Sequence, residues 1–330
     1  MNYSDLENFG FLKIDMPKDI NLKEEIKKLK KEKNAVILGH FYIDGELQDI
    51  SDYIGDSLQL SQQAAKTDAD IIVFLGVHFM AETAKILSPN KKVIIPDLKA
   101  GCSLADSCPS DKFEEFIKQY PGHTVISYVN TTAEIKALTD IVVTSSNAKQ
   151  IVDSLHRDEK IIFGPDKNLG NYINSITGRN MILWDGACHV HKAFDLNVIL
   201  KLKAENPDVK IIAHPECEQP ILIVSEHIGS TSSLLKFTQT DSAKKYIVAT
   251  ESGILHQMRK ASPNKIFIPA PALDSTCACN DCNFMKLNTI EKLYNCLKYE
   301  LPEVNVEENL RKKAEKSIIR MLEISTKLGL

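Results

Sequence analysis

Short apolar runs bounded by polar or charged residues recur along the chain in three successive stretches. Their β-branched composition predicts buried strands. The runs are Ala35–Leu38, Asp70–Leu75 and Lys92–Ile95 in the first stretch; Thr124–Asn130, Asp140–Thr144, Lys160–Phe163 and Met181–Trp184 in the second; and Lys210–Glu216, Lys245–Thr250 and Lys265–Ile268 in the third. The stretches match in the kind and the order of their runs, so we expect one structural unit to be repeated.

Segments with helical spacing separate these runs, for example Leu58–Lys66, His78–Leu87 and Asn147–Leu155. Strands that alternate with helices are typical of parallel sheets in α/β layers. A period of about 90 residues is too long for a solenoid repeat and favours three copies of one small domain. We therefore predict an α/β fold of three similar three-layer αβα domains with parallel sheets.

The same pattern predicts where the domains begin and end. We expect an N-terminal helix over residues 1–33, αβα domains over 34–110, 111–195 and 196–287, and C-terminal helices over 288–330. The first helix is indicated by Leu22, Ile26 and Leu29, whose spacing forms one apolar face. Its many lysines are interpreted as a solvated face.

Polar side chains occupy the carboxyl ends of several predicted strands, which is where parallel sheets carry their chemistry. These residues are His40, Tyr42, Tyr128, Asn130, His214 and Glu216. A single histidine at a strand end is more often structural than catalytic. If the three units face a common centre, however, all of these groups meet there.

Cysteines recur at about the same interval. Cys102 and Cys188 each follow an apolar run, and Cys277, Cys279 and Cys282 lie close together after the last one. Three thiolates from separate loops suit an iron-sulfur cluster that keeps one iron open. A structural zinc site prefers four closed ligands, commonly as two close pairs, and the chain has one dense group.

Other interpretations of the cysteines remain open. The gaps in the dense group do not fit the spacing of radical enzymes that use S-adenosylmethionine. Cys279 and Cys282 have the spacing of a dithiol redox pair but do not open a helix after a first strand. Scattered buried thiols are the plainer alternative, which we favour for Cys108, Cys217 and Cys296.

Two hydroxyl-rich stretches, Thr144–Asn147 and Gly229–Ser233, precede predicted helices. Free N–H groups at a helix start favour a carboxylate or phosphate by roughly 0.3–1 kcal/mol. Ordinary N-capping is the favoured interpretation of either stretch alone. Together they suggest a ligand with several negative groups.

Composition narrows the function classes. The chain has 330 residues, 43% of them hydrophobic, and a net charge of −4. This charge argues against a nucleic-acid binder, and no apolar run reaches the roughly 20 residues of a membrane helix. The first residues lack the pattern of a secretion signal. We expect a cytoplasmic protein with reduced thiols.

Several motifs together resemble those of the quinolinate synthase family, in the family's order from about Ala35 to Leu297. They are His40–Tyr42, Gly55–Leu58, Gly76–Glu82, Tyr128–Asn130, Thr144–Ala148, Trp184–His191, His214–Cys217, Gly229–Thr231 and Cys282–Lys286. The resemblance implies three αβα domains in pseudo-threefold arrangement around a [4Fe-4S] cluster, with the active site at their junction.

The resemblance also implies the reaction and its residues. Iminoaspartate and dihydroxyacetone phosphate would condense to quinolinate, an NAD precursor, with loss of phosphate and two waters. L-Aspartate oxidase would be the supplier of iminoaspartate. The implied cluster ligands are Cys102, Cys188 and Cys282; the implied catalytic residues are Glu216 and Tyr42 as acid and base, with His40 and His214; and the implied substrate contacts are His40, Ser57, Tyr128, Asn130, Ser145, His214, Glu216, Ser230 and Thr231.

The chain departs from the family's common cysteine spacing, because one residue instead of two separates Cys277 from Cys279. Cys279 therefore remains a lesser candidate ligand, and a disulfide between Cys277 and Cys279 stays open. A non-enzymatic protein whose terminal cysteines hold zinc is the alternative from another class. Cys102 and Cys188 discriminate between the two hypotheses, because a terminal zinc site does not need them.

Overall fold

The computed structural model describes residues 4–273 and 280–330. Twelve strands of the described chain form three four-stranded sheets, and all strand pairs in them are parallel. The strands are β1 (Ala35–His40), β2 (Tyr53–Gly55), β3 (Ile71–Leu75), β4 (Lys92–Ile94), β5 (Thr124–Tyr128), β6 (Ile141–Val143), β7 (Ile161–Gly164), β8 (Ile182–Leu183), β9 (Lys210–Ala213), β10 (His227–Ile228), β11 (Lys245–Ala249) and β12 (Ile266–Pro269).

Helices flank each sheet. They are α1 (Ser4–Phe9), α2 (Leu22–Glu32), α3 (Gly45–Ile50), α4 (Ser57–Lys66), α5 (His78–Leu87), α6 (Ser103–Asp106), α7 (Ser110–Lys118), α8 (Ala133–Ala137), α9 (Ala148–Ser154), α10 (Lys167–Thr177), α11 (His189–Lys192), α12 (Leu196–Glu205), α13 (Gln219–Ile223), α14 (Thr231–Thr240), α15 (Ile254–Ala261), α16 (Ile290–Tyr299) and α17 (Glu308–Lys327), with a 3₁₀ helix at Met285–Leu287. Among these helices, none combines the length and the apolar character of a membrane-spanning segment.

The three sheets repeat one topology. Their strand orders are β2-β1-β3-β4, β6-β5-β7-β8 and β10-β9-β11-β12. In each sheet, the strand that comes first in the sequence lies between the second and the third. The predicted α/β fold with three similar αβα domains is confirmed.

The central strands are apolar on both faces because helices cover both faces of each sheet. All residues of β3 and β6 are buried, as are all but the first residue of β5 and β11. Continuous apolar runs without alternation are the sequence signature of such strands. This is why the runs could be recognised from the sequence.

The chain divides into two compact units. One consists of Met1–Cys102 and Asn283–Glu315, and the other of Ser103–Cys282 and Lys316–Leu330. The first unit contains the β1–β4 sheet, and α16 packs against α2 within it. Glu300 joins elements of this unit, since its carboxylate binds the amines of Lys33 and Lys92 at 2.7 and 2.5 Å. The predicted division into five segments stays a prediction.

The second unit holds the other two sheets, each with its own apolar core. Phe113 is fully buried with Val125, Ile135 and Ile162 in the core beside β5 and β7. Ile211 and Ile247 belong to a separate core around β9 and β11. Both cores support strands whose carboxyl ends carry polar side chains.

Candidate active site

The predicted site residues are distributed over both units. The first unit contains His40, Tyr42, Ser57 and Cys102, and the second contains Tyr128, Asn130, Ser145, Cys188, His214, Glu216, Ser230, Thr231 and Cys282.

Glu216 is the centre of a buried polar group in the second unit. Its side chain is 3% exposed and follows β9 in the turn that leaves the sheet. The Tyr128 hydroxyl, at the end of β5, donates a hydrogen bond to Glu216 Oε1 at 2.7 Å. Nδ1 of His214 lies 3.5 Å from the same oxygen, and Nδ1 of His191 lies 3.3 Å from Oε2. Side chains from the end of β5, from α11 and from the loop after β9 therefore surround one carboxylate.

These neighbours determine the charge state of Glu216. Burial by itself would raise the pKa of this carboxyl, because removing an anion from water is costly. The nearby imidazoles of His191 and His214 and the hydrogen bond from Tyr128 stabilise the anion and hold the pKa at about 2. Glu216 is thus a carboxylate at neutral pH and can accept a proton.

A second buried carboxyl, Asp166, lies beside this group. It is fully buried and caps α10, with Oδ1 accepting the N–H of Leu169 at 2.7 Å. Burial and the negative charge of Glu216 raise the pKa of Asp166 well above its usual range. Its Oδ2 has no hydrogen-bond partner in the described part of the chain. Two neighbouring carboxyls with pKa values pushed apart are a common feature of acid–base sites.

Cys188, His191 and Glu216 can together hold a metal ion. Cys188 is the N-cap of α11, and His191 lies one turn further on the same side of that helix. The ligand atoms of the three residues lie within 4.8 Å of one another. Oε2 of Glu216 lies on this side of the carboxylate, 3.3 Å from Nδ1 of His191.

Hydroxyl and amide groups extend the site from neighbouring loops of the second unit. Ser145 Oγ lies 3.2 Å from Nε2 of His214. The buried Oδ1 of Asn130 has no hydrogen-bond partner within residues 4–273 and 280–330. Ser230 is the N-cap of α14 and accepts the N–H of Ser233 at 3.3 Å, while Thr231 is buried in the first turn of that helix. Ser230 therefore does act as a helix cap, as the favoured interpretation of this stretch predicts.

Cys282 is half-buried and its backbone is held by a buried acid. Oε1 of Glu251 accepts the Cys282 N–H at 3.1 Å, and Oε2 accepts the N–H of Gly253 at 2.7 Å. The other two cysteines of the dense group, Cys277 and Cys279, lie outside the described residues. The candidate role of Cys279 and a disulfide between the two therefore stay predictions.

The first unit presents its own polar group after β1. His40 is buried, and its Nδ1 accepts the N–H of Tyr42 at 3.2 Å while the two rings pack edge to face at 4.5 Å. The amine of Lys286 donates to the carbonyl of Tyr42 at 3.0 Å. Ser57 begins α4, and Cys102 is half-buried after the loop that follows β4. An imidazole and a phenol thus share one strand exit.

The sequence patterns alone predict no role for His191, Asp166 or Glu251. The spacing of Cys188 and His191, which places two ligand types one helical turn apart, is a usable signal for His191. Asp166 and Glu251 each follow a predicted strand closely, which is a weaker signal. Burial and contact with a distant loop distinguish these acids from ordinary surface acids, and neither property can be seen in the sequence.

Repeated αβα domains with a buried carboxylate, two imidazoles, a phenol and a nearby thiol define an α/β enzyme with an acid–base site that can also bind a metal. The family profile described as quinolinate synthetase A protein matches residues 24–323 of the chain. The chain belongs to this family.

Curated proteins of similar sequence agree with this assignment. The quinolinate synthase of Thermosynechococcus vestitus is 57% identical over 309 residues, which cover 94% of this chain and 97% of that protein. The quinolinate synthase of Microcystis aeruginosa is 58% identical over 91% of this chain and 94% of its own. The quinolinate synthase of Chloroherpeton thalassium is 55% identical over 93% of this chain and 95% of its own. These relatives support the assignment of the chain as an enzyme of the quinolinate synthase kind.

Proposed function

We propose that the chain condenses iminoaspartate with dihydroxyacetone phosphate to form quinolinate, with loss of phosphate and two waters, in de novo NAD biosynthesis. The observation that carries the proposal is the buried Glu216 carboxylate, which contacts Tyr128 and lies beside His191, His214 and Cys188. The names of the relatives support quinolinate as the product. The family resemblance supports the two substrates, and the residues around Glu216 supply the groups that an elimination requires.

We further propose that Cys102, Cys188 and Cys282 hold a [4Fe-4S] cluster. The donor set fits, because all three thiols are half-buried, as an accessible ligand must be, whereas Cys108, Cys217 and Cys296 are buried. Burial also raises the pKa of these other thiols, which disfavours the thiolate form that binds metal. When bound, a cluster with three thiolate ligands supplies one iron as a Lewis acid toward oxygen groups of the substrate.

The protein's own residues would then carry the proton transfers. Glu216, which is ionised at neutral pH, would accept a proton from the substrate carbon or hydroxyl. Tyr42 is the second acid–base group, supported by its position after β1 next to His40. His40 and His214 orient the reacting carboxylate or enol.

Neutral donors would bind the charged ends of the substrates. Tyr128 and Asn130 bind the aspartate-derived half, and the unpartnered Oδ1 of Asn130 is suited to an N–H donor. Ser57, Ser145, Ser230 and Thr231 supply hydrogen bonds to carboxylate or phosphate groups at helix starts. We also propose that L-aspartate oxidase supplies the iminoaspartate. The proposed location of the protein is the cytosol, where thiols stay reduced.

The test is an anaerobic assay of purified protein with both substrates, run beside iron and zinc analysis. We expect quinolinate, a brown protein and about four irons per chain from the stoichiometry of a [4Fe-4S] cluster. Changing Cys102, Cys188 or Cys282 to Ala should each abolish both colour and product. Cys296→Ala, which removes a buried thiol outside the proposed set, is the matched control and should keep both. Stoichiometric zinc in colourless, active protein would refute the cluster and its Lewis-acid role.

A further inference from the structure

The buried side chain of Glu251 binds backbone on both of its oxygens. Glu251 is 1% exposed and lies just beyond the carboxyl end of β11. One oxygen accepts the N–H of Gly253, next to it in its own loop, and the other accepts the N–H of Cys282 from a different loop. The acid therefore joins the exit of a central strand to the residue that we propose as a cluster ligand.

Further hydrogen bonds join the loop after β11 to the loop that carries Cys282. The N–H of Ser252 donates to the carbonyl of Asn280 at 3.1 Å, and the Ser252 hydroxyl binds the carboxylate of Asp281. With Glu251 bound to Cys282, three contacts hold Asn280–Cys282 against Glu251–Gly253. This part of the loop is therefore fixed at the backbone of its cysteine.

The preceding αβα domain has an equivalent arrangement. Asp166 lies two residues after the end of β7, as Glu251 lies two residues after the end of β11, and both strands are third in their sheets. The backbone N–H of Cys188 lies close enough to the Asp166 carboxyl to favour its anion, and the adjacent Lys167 N–H donates to the carbonyl of Gly186 at 2.8 Å. A buried acid thus faces the backbone N–H of the proposed ligand in each of these two domains.

The first domain achieves a similar link without an acid. Val77 occupies the position two residues after β3, and the next residue, His78, donates its N–H to the carbonyl of Ala100 at 2.6 Å. Ala100 is two residues before Cys102. In every domain, therefore, the exit of the third strand binds the segment that carries the proposed ligand.

From this repetition we propose that Glu251 and Asp166 are positioning residues for Cys282 and Cys188. The proposal rests on the assignment of these cysteines as cluster ligands. A fixed amide nitrogen limits the rotation of the cysteine backbone and so the direction of its Cβ–Sγ bond. Neither acid contacts the reacting atoms in this proposal; each acts through the cysteine that it holds.

The test compares Glu251→Ala and Glu251→Gln with wild-type protein. Each protein is reconstituted anaerobically with iron and sulfide, and the loss of cluster absorbance is followed after exposure to air. Removing a hydrogen bond to a charged group should accelerate loss of the cluster about tenfold in Glu251→Ala. Glu251→Gln keeps one acceptor oxygen, so its rate of cluster loss should lie between those of wild-type protein and Glu251→Ala. The melting temperature of the cluster-free protein is measured in parallel, because a purely structural role would lower it without a selective effect on the cluster.

Glu226→Ala is the matched control. Oε2 of Glu226 accepts the N–H of Ile211 at 2.6 Å in the same domain, so this substitution also removes a bond from a carboxylate to a backbone amide. We expect it to leave the rate of cluster loss at the wild-type value. Asp166→Ala should accelerate cluster loss as Glu251→Ala does. Asp166→Asn, which keeps an acceptor oxygen, should lose its cluster at a rate close to that of wild-type protein.

The outcomes separate the two proposals. Wild-type protein that takes up no iron would refute the cluster itself, whatever the variants do. If wild-type protein holds iron but both Glu251 variants lose it at the wild-type rate, the positioning role is wrong and the cluster assignment stands. If Glu251→Ala does not fold, Glu251→Gln decides: faster loss of cluster at an unchanged melting temperature supports the positioning role, and an unchanged rate refutes it.

Discussion

At the scale of single residues, the chemistry depends on what surrounds Glu216. A carboxyl buried without partners would be protonated at neutral pH, because its desolvation disfavours the anion. Two imidazoles and a phenol reverse this effect and lower the pKa to about 2. The site therefore contains a carboxylate that is buried and ionised at the same time.

Replacing Glu216 by Gln should remove this carboxylate while keeping its shape. We expect Glu216→Gln to fold and to retain iron, and to lose about 10²–10⁴-fold in turnover, the usual contribution of a general base. Tyr128→Phe, which removes only the hydroxyl bound to Glu216, is the matched comparison and should cost less. Anaerobic measurement of quinolinate beside iron content checks both variants. Near-normal turnover in Glu216→Gln would show that this carboxylate transfers no proton.

The sequence is sufficient to single out Glu216 and His214, because both lie in one short motif at a predicted strand exit. His191 and Asp166 could not be assigned in the same way. Each lies far from Glu216 along the chain, and only folding brings them together. Their role depends on burial and proximity, which residue type and local spacing do not specify.

At the scale of elements, strands with continuous apolar runs were predictable, whereas β2 and β10 were not. β2 and β10 are edge strands of three and two residues, and neither was predicted. Tyr53–Gly55 and His227–Ile228 include polar or small residues and lack a distinct apolar run, unlike the predicted edge strands β4 and β8. Helix α5, in contrast, spans the predicted residues His78–Leu87.

Asp241 connects three elements of the third domain and gives a prediction about pH. It follows α14, accepts hydrogen bonds from Ala243 N–H and the hydroxyl of Tyr246, and pairs with Lys210 at 2.5 Å. The bond from Lys210, with those from Ala243 and Tyr246, outweighs burial and lowers its pKa to about 2. Because the folded pKa lies below the ordinary value of 3.8, folding favours the ionised form. The contribution of ionised Asp241 to the free energy of unfolding is therefore present above pH 4 and is lost as pH falls toward 2.

We expect Asp241→Asn to lower the free energy of unfolding by about 1–2 kcal/mol at pH 7, and by less as pH falls below 4. Urea unfolding of wild-type and variant protein at pH 7, 4 and 3 measures this difference. Asp208→Asn, at an exposed position of the same domain, is the control and should have little effect at any of these pH values. A difference for Asp241→Asn that stays constant down to pH 3 would contradict the assignment of the low pKa.

At the scale of the whole molecule, the repetition of one αβα domain could be predicted from the order of apolar runs alone. The three sheets share one strand order, so each domain presents the same sheet edge for polar residues and cysteines. The pseudo-threefold arrangement of the domains, with an active site at their junction, stays a prediction from the family resemblance. An arrangement of domains depends on surfaces that periodicity does not describe.

The central claim is that three thiolates, one from each αβα domain, leave one iron open to the substrate. The most direct measurement is the Mössbauer spectrum of protein reconstituted anaerobically with ⁵⁷Fe, recorded with and without quinolinate. We predict a four-iron cluster in which quinolinate shifts about one quarter of the signal, that of the open iron. A spectrum in which quinolinate leaves all four irons unchanged, or protein that binds no iron after reconstitution, would contradict the claim.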